Sequence, residues 1–183
     1  LFYLSLQRWL LAAGCWLLPA GYSLMKALLI GDVVGRPGRV AVERFVVPMR
    51  EEHGIDVVVA NCENAAGGAG VTPAVAEELF RAGVDVLTSG NHVWRKREAY
   101  ELLKLDHRVL RPANYPDGSP GSGSTVIETL TGQKVGILNI QGRVFLESID
   151  CPFRAATKEL ERLRLVTPMI IVDMHAEATS EKV

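Results

Sequence analysis

The sequence is poor in cysteine, in net charge and in long basic runs, and each shortage excludes a class of protein. Its 183 residues include three cysteines, Cys15, Cys62 and Cys151, which are widely spaced and form no CxxC pair. This dispersed set excludes a secreted fold that depends on disulfides, and a reducing compartment is expected. Lys and Arg number 20 against 21 Asp and Glu, a net charge of -1, which argues against a stable nucleic-acid partner held by charge alone.

What is present is the composition of an ordinary globular domain, with 48% hydrophobic and 22% charged residues. The first 24 residues differ from the rest, since they are apolar and aromatic with Arg8 as their one charge. One interpretation is a signal peptide, which implies export; the apolar run 9–18 is too short for a membrane span of ~20 residues. The favoured interpretation is a non-native extension upstream of a start at Met25, which implies a cytoplasmic protein. We therefore predict one domain over 25–183.

From Met25 onward, short aliphatic runs alternate with amphipathic stretches, which is typical of an α/β fold. Strands are predicted at 27–30, 56–60, 84–88, 124–130, 133–140 and 169–173, and helices at 39–53, 73–82 and 154–163. Thr131-Gly132 separates two of these strands and predicts a hairpin. The early strands are almost wholly apolar, so we expect them to be parallel, central and covered on both faces.

Polar residues follow four of the predicted strands, where ligands of an open parallel sheet bind. They begin at Asp32, Asn61, Ser89 and Asp173. The oxygen and nitrogen donors among them suit Mn, Fe or Zn; they are Asp32, Glu63, Asn64, Asn91 and His175. A bridging carboxylate such as Glu63 would allow two metals ~3.5–4 Å apart to clamp a phosphoryl group and activate a water. His92 is then placed to protonate the leaving oxygen.

Each of these residues taken singly has a purely structural interpretation, such as a helix N-cap for Asp32 or a hydrogen-bonded core histidine for His175. The metal hypothesis depends on their joint occurrence at four strand ends. Cys62 as a nucleophile is a weaker alternative, because a small buried thiol is the expected role. The glycines of residues 31–38 suggest a dinucleotide-binding turn, but their spacing does not match GxGxxG, and no Gly-Lys-Ser/Thr follows for a P-loop.

Several motifs together resemble the YmdB-type bacterial phosphodiesterases, a group of the calcineurin-like metallophosphoesterases. They are Gly-Asp-Val-Val-Gly at 31–35, Asn-Cys-Glu-Asn-Ala-Ala-Gly-Gly at 61–68, Gly-Asn-His-Val-Trp at 90–94 and Asp-Met-His-Ala-Glu-Ala-Thr-Ser-Glu-Lys at 173–182. Arg-Pro-Ala-Asn-Tyr at 111–115 and Gln-Gly-Arg-Val-Phe at 141–145 also match. The resemblance extends from Met25 to the last residue.

The resemblance implies a four-layer αββα sandwich with a dinuclear iron or manganese site. It implies hydrolysis of cyclic nucleotides, 2′,3′-cyclic ones to 3′-nucleotides and also 3′,5′-cyclic ones, or of another small phosphodiester, with no membrane partner and with homo-oligomers common. It further implies a role for each site residue, in which Asp32 and Asn64 hold one metal, Glu63 bridges, Asn91 and His175 hold the second metal, and His92 is the general acid.

The family pattern also includes a later Gly-Thr-His-Thr-His motif, whose histidines complete both metal shells. These 183 residues contain no Gly-x-His-x-His, and the other histidines, His53 and His107, are expected at the surface. We therefore expect a domain that is incomplete at its C-terminus, and predict that this chain alone binds metal weakly and turns over poorly. The alternative is a non-catalytic nucleotide-binding or regulatory module with an incomplete metal site.

Overall fold

The computed structural model describes residues 25–182, which form a mixed α/β fold with two three-stranded sheets and four α-helices. The predicted α/β class is therefore confirmed. Both interpretations of segment 1–24 lie outside the described residues, and the single domain over 25–183 stays a prediction. No helix within 25–182 is long and apolar enough to cross a membrane.

The first sheet is parallel and carries three of the four predicted ligand-bearing strand ends. It consists of β1 (Ala27–Asp32), β2 (Val57–Asn61) and β3 (Val86–Thr88), in the order β1-β2-β3. Helices α1 (Gly35–His53) and α2 (Pro73–Arg81) connect these strands. Helix α2 begins where the sequence favours a start, with Thr72 Oγ1 accepting from the Val75 backbone N–H and Pro73 in the first turn.

The second sheet contains the predicted hairpin and the last ligand-bearing strand. Strands β4 (Ser124–Glu128) and β5 (Lys134–Gln141) are antiparallel, which confirms the hairpin, and β6 (Ile170–His175) runs parallel to β5 after helix α4 (Pro152–Arg164). The sequence analysis did not predict α3 (Ala99–Leu105), a seven-residue helix. A 3-10 helix, Asn91–Arg95, follows β3 directly.

The two faces of β2 belong to different cores, as its alternation of side chains requires. Val58 and Ala60 lie in a cluster with residues of α1, α2 and α3, whereas Val57 and Val59 lie in a second cluster with Val135 and Ile137 of β5. The first sheet therefore packs helices on one face and the second sheet on the other. On the opposite face of β5, Leu138 and Ile140 pack with α4 residues in a third cluster.

The expectation that the early apolar strands are central is correct for β2, which lies between β1 and β3. The residues of β2 and β3 are all buried, as expected of strands covered on both faces. The expected central position is wrong for β1 and β3, which occupy the two edges of the first sheet within the described residues. The later strand β6 is similarly apolar and also lies at an edge. Leu29 of β1 is 37% exposed and Val172 of β6 is 42% exposed. Apolar runs of similar composition occur in both settings, so a run of this kind does not distinguish a central strand from an edge strand.

Candidate metal centre

All six predicted site residues come together where the carboxyl ends of the two sheets meet. Asp32 is the last residue of β1 and His175 the last of β6, while the others lie in the segments that follow β2 and β3; these are Glu63, Asn64, Asn91 and His92. Each of the six lies within hydrogen-bond or ion-pair distance of at least one other. The strands come from two sheets and not from one open sheet, which the apolar pattern did not reveal.

Glu63 is the centre of the cluster. It is 3% exposed, although a buried carboxylate is costly unless charges or hydrogen bonds compensate it. Its Oε2 accepts from the backbone N–H of His92 at 3.2 Å, and its Oε1 lies 3.8 Å from His92 Nδ1 and 3.5 Å from His175 Nε2. A carboxylate in contact with ligands from both sheets is placed to bridge two ions.

Asn64 connects the first group of donors. Its Nδ2 donates to Asp32 Oδ2 at 2.7 Å and to Glu63 Oε1 at 3.4 Å, and its Oδ1 lies 2.6 Å from His92 Nδ1. The electropositive NH₂ group therefore lies between two carboxylates, which is the position that a cation held by Asp32 and Glu63 would occupy. A half-turn of the amide would present its oxygen there as a third ligand.

The second group of donors has the spacing of ligands that share one ion. His175 Nε2 lies 3.1 Å from Asn91 Oδ1 and 3.5 Å from Glu63 Oε1. Two ligand atoms that are each about 2.1 Å from an ion, at angles near 90–110°, are about 3.0–3.4 Å apart. Within 25–182, no three His, Cys, Asp or Glu side chains alone could hold an ion. The amides of Asn64 and Asn91 are therefore needed, and with them the residues fit a metal.

Gly90 is a site residue that the sequence analysis missed. A Cβ atom at this position would overlap Glu63 Oε2 and the ring of His175. Its φ of -146° is open to any residue, so space excludes a side chain here and backbone strain does not. A lone glycine before Asn91 gave no signal, because the ring that needs this space comes from the other sheet.

Asn139 of β5 is a second missed residue, and it connects the two sheets behind the site. Its buried Nδ2 donates to the Ser89 carbonyl at 2.9 Å and to the Leu110 carbonyl at 3.3 Å. Ser89 lies between β3 and the ligand-bearing segment, so this bond fixes the end of β3 against the second sheet. Asn91, which follows β3 of the first sheet, thereby reaches His175 of the second sheet.

Cys62 does not have the surroundings of a nucleophile. It is fully buried, and burial raises the pKa of its thiol to about 12, with the nearby carboxylates of Glu63, Asp32 and Asp173 acting in the same direction. A nucleophilic cysteine needs the opposite shift. This agrees with the expectation of a buried structural thiol.

Comparison with known proteins gives concordant matches. The sequence model described as "YmdB-like protein" matches residues 28–183. The chain is 40% identical over 158 residues to a 2′,3′-cyclic-nucleotide 2′-phosphodiesterase of Bacillus subtilis, covering 86% of this chain and 60% of that protein. A hypothetical protein of Thermus thermophilus has a crystal structure that matches with a TM-score of 0.75 and 41% identity, over 85% of this chain and 60% of that one.

The crystal structure of a novel phosphatase of Mycoplasma pneumoniae matches with a TM-score of 0.76 and 33% identity, over 86% of this chain and 57% of that one. The chain thus spans about three fifths of the length of these relatives. All six site residues lie within the matched range 28–183.

Proposed function

The chain belongs to the YmdB-like protein family, and from this premise we propose that its activity is that of a metal-dependent phosphodiesterase. The proposed substrates are 2′,3′-cyclic nucleotides, with 3′,5′-cyclic nucleotides as a second class. The proposed products of the first class are 3′-nucleotides. This substrate class agrees with the name of the Bacillus subtilis relative, a 2′,3′-cyclic-nucleotide 2′-phosphodiesterase.

The observation that carries the proposal is the buried Glu63 carboxylate between two histidines. Its Oε1 is 3.8 Å from His92 Nδ1 and 3.5 Å from His175 Nε2, and it also accepts from the Asn64 amide. A structural ion pair needs one partner, whereas this carboxylate faces nitrogen donors from three different segments. Oxygen and imidazole ligands around a shared carboxylate are the donor set that iron and manganese accept.

In this proposal, Asp32 and Asn64 hold one metal and Asn91 and His175 hold the second, with Glu63 between them. Iron or manganese bound there would polarise the phosphoryl oxygens and lower the pKa of a bound water. Glu63 and Asn91 lie in short segments that follow β2 and β3, and Asn139 holds the segment after β3 against the second sheet.

His92 is the proposed general acid. In the amide orientation of the structure, Asn64 Oδ1 accepts from His92 Nδ1 at 2.6 Å and fixes the orientation of the ring. After the half-turn that would give Oδ1 to a metal, Asn64 Nδ2 would donate to His92 Nδ1, and the proton of the ring would lie on Nε2. When the ring is protonated, it forms an ion pair with Glu63, and its Nε2–H is free to donate to the leaving 2′-oxygen of the substrate. The side chain retains 32% exposure, so a substrate can reach the ring from solvent.

The finer architecture belongs to the same proposal. We propose a four-layer αββα sandwich, supported by the order of the three core clusters: helices against the first sheet, sheet against sheet, and α4 against the second sheet. Homo-oligomers are also proposed, from the resemblance alone. The alternative of a non-catalytic nucleotide-binding module would keep this fold and the pocket while leaving the metal shells incomplete.

The experiment that tests the proposal measures metal content and hydrolysis of 2′,3′-cyclic AMP with manganese. It uses this chain and a version elongated to the length of the relatives. Two metals per elongated chain, with turnover to 3′-AMP, would support the phosphodiesterase. If the elongated chain binds the nucleotide but neither holds metal nor turns over, the binding module replaces the enzyme.

A further inference from the structure

A polar cavity of about 620 Å³ opens beside the metal centre, between the loop 111–123 and one face of α4. Its volume lies within the range of small-molecule sites, roughly 300–1,000 Å³. Among its lining side chains are five cationic and three anionic ones: Arg111, Arg143, Arg154, Lys158 and Arg162, and Asp117, Asp150 and Glu159. We call it the basic cavity.

Part of this charge already has partners. Glu159 Oε2 accepts from Ser124 Oγ at 2.6 Å and pairs with Arg162 at 2.8 Å. Arg111 donates to the carbonyls of Pro112 and Pro120, and its half-buried guanidinium faces the charges of Glu159 and Asp117. Glu159 therefore joins α4 to β4, while the hydrogen bonds of Arg111 lie within the loop.

The remaining cations have no such partner. Within 25–182, the side chains of Arg143, Arg154 and Lys158 form no ion pair and no hydrogen bond. The charge of Lys158 acts on Glu159, which already pairs with Arg162, and the other carboxylates of the cavity are Asp117 and Asp150. Arg154 and Lys158 are exposed and lie one turn apart on α4. Unpaired cations that share one concave surface are suited to bind an anion with several oxygens.

The N-terminus of α4 adds to this positive potential. Cys151 is its N-cap, and the pKa of the Cys151 thiol is lowered by the backbone N–H of Arg154 first, and by the charges of Arg143 and Arg154 as well. The dipole of this 13-residue helix has the same sign at this end. Three sources of positive potential therefore meet at the cavity: the helix end, Arg143 and Arg154.

The basic cavity adjoins the metal centre through two residues. Tyr115 lines the cavity and packs edge-on against Trp94, with 5.4 Å between the ring centroids, and Trp94 is two residues after His92. Arg143 lines it two residues after Gln141, whose register partner in β6 is His175. Since consecutive Cα atoms are about 3.8 Å apart, Arg143 lies within about 7.6 Å of Gln141 along the backbone.

We propose that the basic cavity binds a second phosphate of the substrate, one nucleotide away from the cyclic phosphate at the metal centre. The preferred substrate is then a short oligoribonucleotide that ends in a 2′,3′-cyclic phosphate, and not a mononucleotide. This inference rests on the proposed function. A single cyclic nucleotide carries one phosphate and would leave Arg143, Arg154 and Lys158 without a ligand.

The test compares the affinity of the chain for two probes. One is 2′,3′-cyclic AMP, and the other is an adenosine dinucleotide with a 5′-phosphate and a 2′,3′-cyclic phosphate end. We expect the dinucleotide to bind at least tenfold more tightly, and this advantage to shrink as salt rises. Arg154→Gln and Lys158→Gln should each reduce the advantage at least threefold. Arg164→Gln is the control, because Arg164 is exposed on the same helix and does not line the cavity.

Hydrolysis of both probes with manganese, measured on the version elongated to the length of the relatives, separates the two proposals. Equal affinity for the two probes would overturn the second-phosphate site, and turnover of 2′,3′-cyclic AMP would then leave the proposed function intact. A second result would also overturn the second-phosphate site: inorganic phosphate binds tightly, Lys158→Gln abolishes that binding, and the dinucleotide is not preferred. The cavity would then be assigned to free phosphate. A dinucleotide advantage that the variants remove supports the cavity, and absent hydrolysis would then count against the phosphodiesterase alone.

Discussion

The imidazole of His92 and the amide of Asn64 meet at 2.6 Å, from Nδ1 to Oδ1. Asn64 also donates to Asp32 at 2.7 Å, so one amide connects a carboxylate at the end of β1 to an imidazole that follows β3. The acceptor oxygen holds the proton on Nδ1 and leaves Nε2 as the atom that can exchange a proton with a substrate. The orientation of His92 is thus set by a residue that is itself a proposed metal ligand.

His92→Gln is expected to lower kcat for 2′,3′-cyclic AMP about 10²- to 10⁴-fold, the usual contribution of a general acid, while metal content stays the same. The measurement is steady-state kinetics with metal analysis on the elongated protein. For a phosphodiester with a 4-nitrophenol leaving group, kcat should fall much less, because 4-nitrophenolate leaves without needing a proton. His107→Gln is the matched control, because His107 is exposed. Equal losses on both substrates would contradict the acid role.

Glu63→Gln is expected to weaken metal binding more than about 100-fold, beyond the 10–100-fold that outer partners of a metal site contribute. The change keeps the shape of the side chain but removes the charge that would bridge two ions. Metal titration followed by calorimetry measures the effect. The control is Glu177→Gln, on the segment after β6, where Glu177 is exposed. It also removes one negative charge and should leave the metal affinity unchanged. Unchanged affinity in Glu63→Gln would exclude the bridging role.

Gly90→Ala is expected to destabilise the protein by about 1–3 kcal/mol, as other insertions into filled space do, and to weaken metal binding. The added methyl group would overlap Glu63 Oε2 and the His175 ring, so one of the two must move. Urea unfolding and metal titration measure the two effects. Gly31→Ala is the control, since a Cβ there meets nothing within 4 Å. A fully stable variant with normal metal affinity would show that the site has room at this position.

The sequence predicts the fold wherever a local pattern is strong. The aliphatic run before Asn61 places β2 to within one residue, and Thr72-Pro73 marks the start of α2, because a hydroxyl cap and a first-turn proline act locally. Helix α3 has seven residues, too few for a clear period. The division into two sheets depends on side chains that alternate along β2 between partners far apart in sequence, which no local pattern contains.

The sequence analysis likewise named the polar side chains that the structure brings together, but not their arrangement. Strand ends pointed to Asp32, Glu63 and His175, because side chains beyond parallel strands converge whatever the sheet. Gly90 must lack a side chain because the His175 ring, which comes from the other sheet, occupies the space where a Cβ atom would lie. The orientation of the Asn64 amide depends equally on two partners, at positions 32 and 92, that a sequence does not place in space.

The turn after α3 contains a stabilising pair that acid should remove. Asp106 accepts from the Arg108 backbone N–H at 2.9 Å and from the guanidinium at 3.0 and 2.7 Å, and that guanidinium lies 3.9 Å from the centroid of the Phe80 ring on α2. The hydrogen bonds from the Arg108 side chain are the main cause that lowers the pKa of Asp106 below its usual 3.8.

A lowered carboxyl pKa contributes stability above the unfolded value, and this contribution is lost as the pH falls through the folded value. Asp106→Asn should therefore reduce the free energy of unfolding by about 0.5–1 kcal/mol at pH 7, as for a partly exposed pair. The difference from wild type should fade as the pH falls from about 3.8 through the lower pKa of the folded state, where the wild-type carboxyl also becomes neutral. Urea unfolding across this range measures it, with Glu101→Gln as the control for an exposed pair with Lys104. If the free energy of unfolding of Asp106→Asn is lower than that of wild type by the same amount at pH 3 as at pH 7, the cause is lost packing and not lost charge.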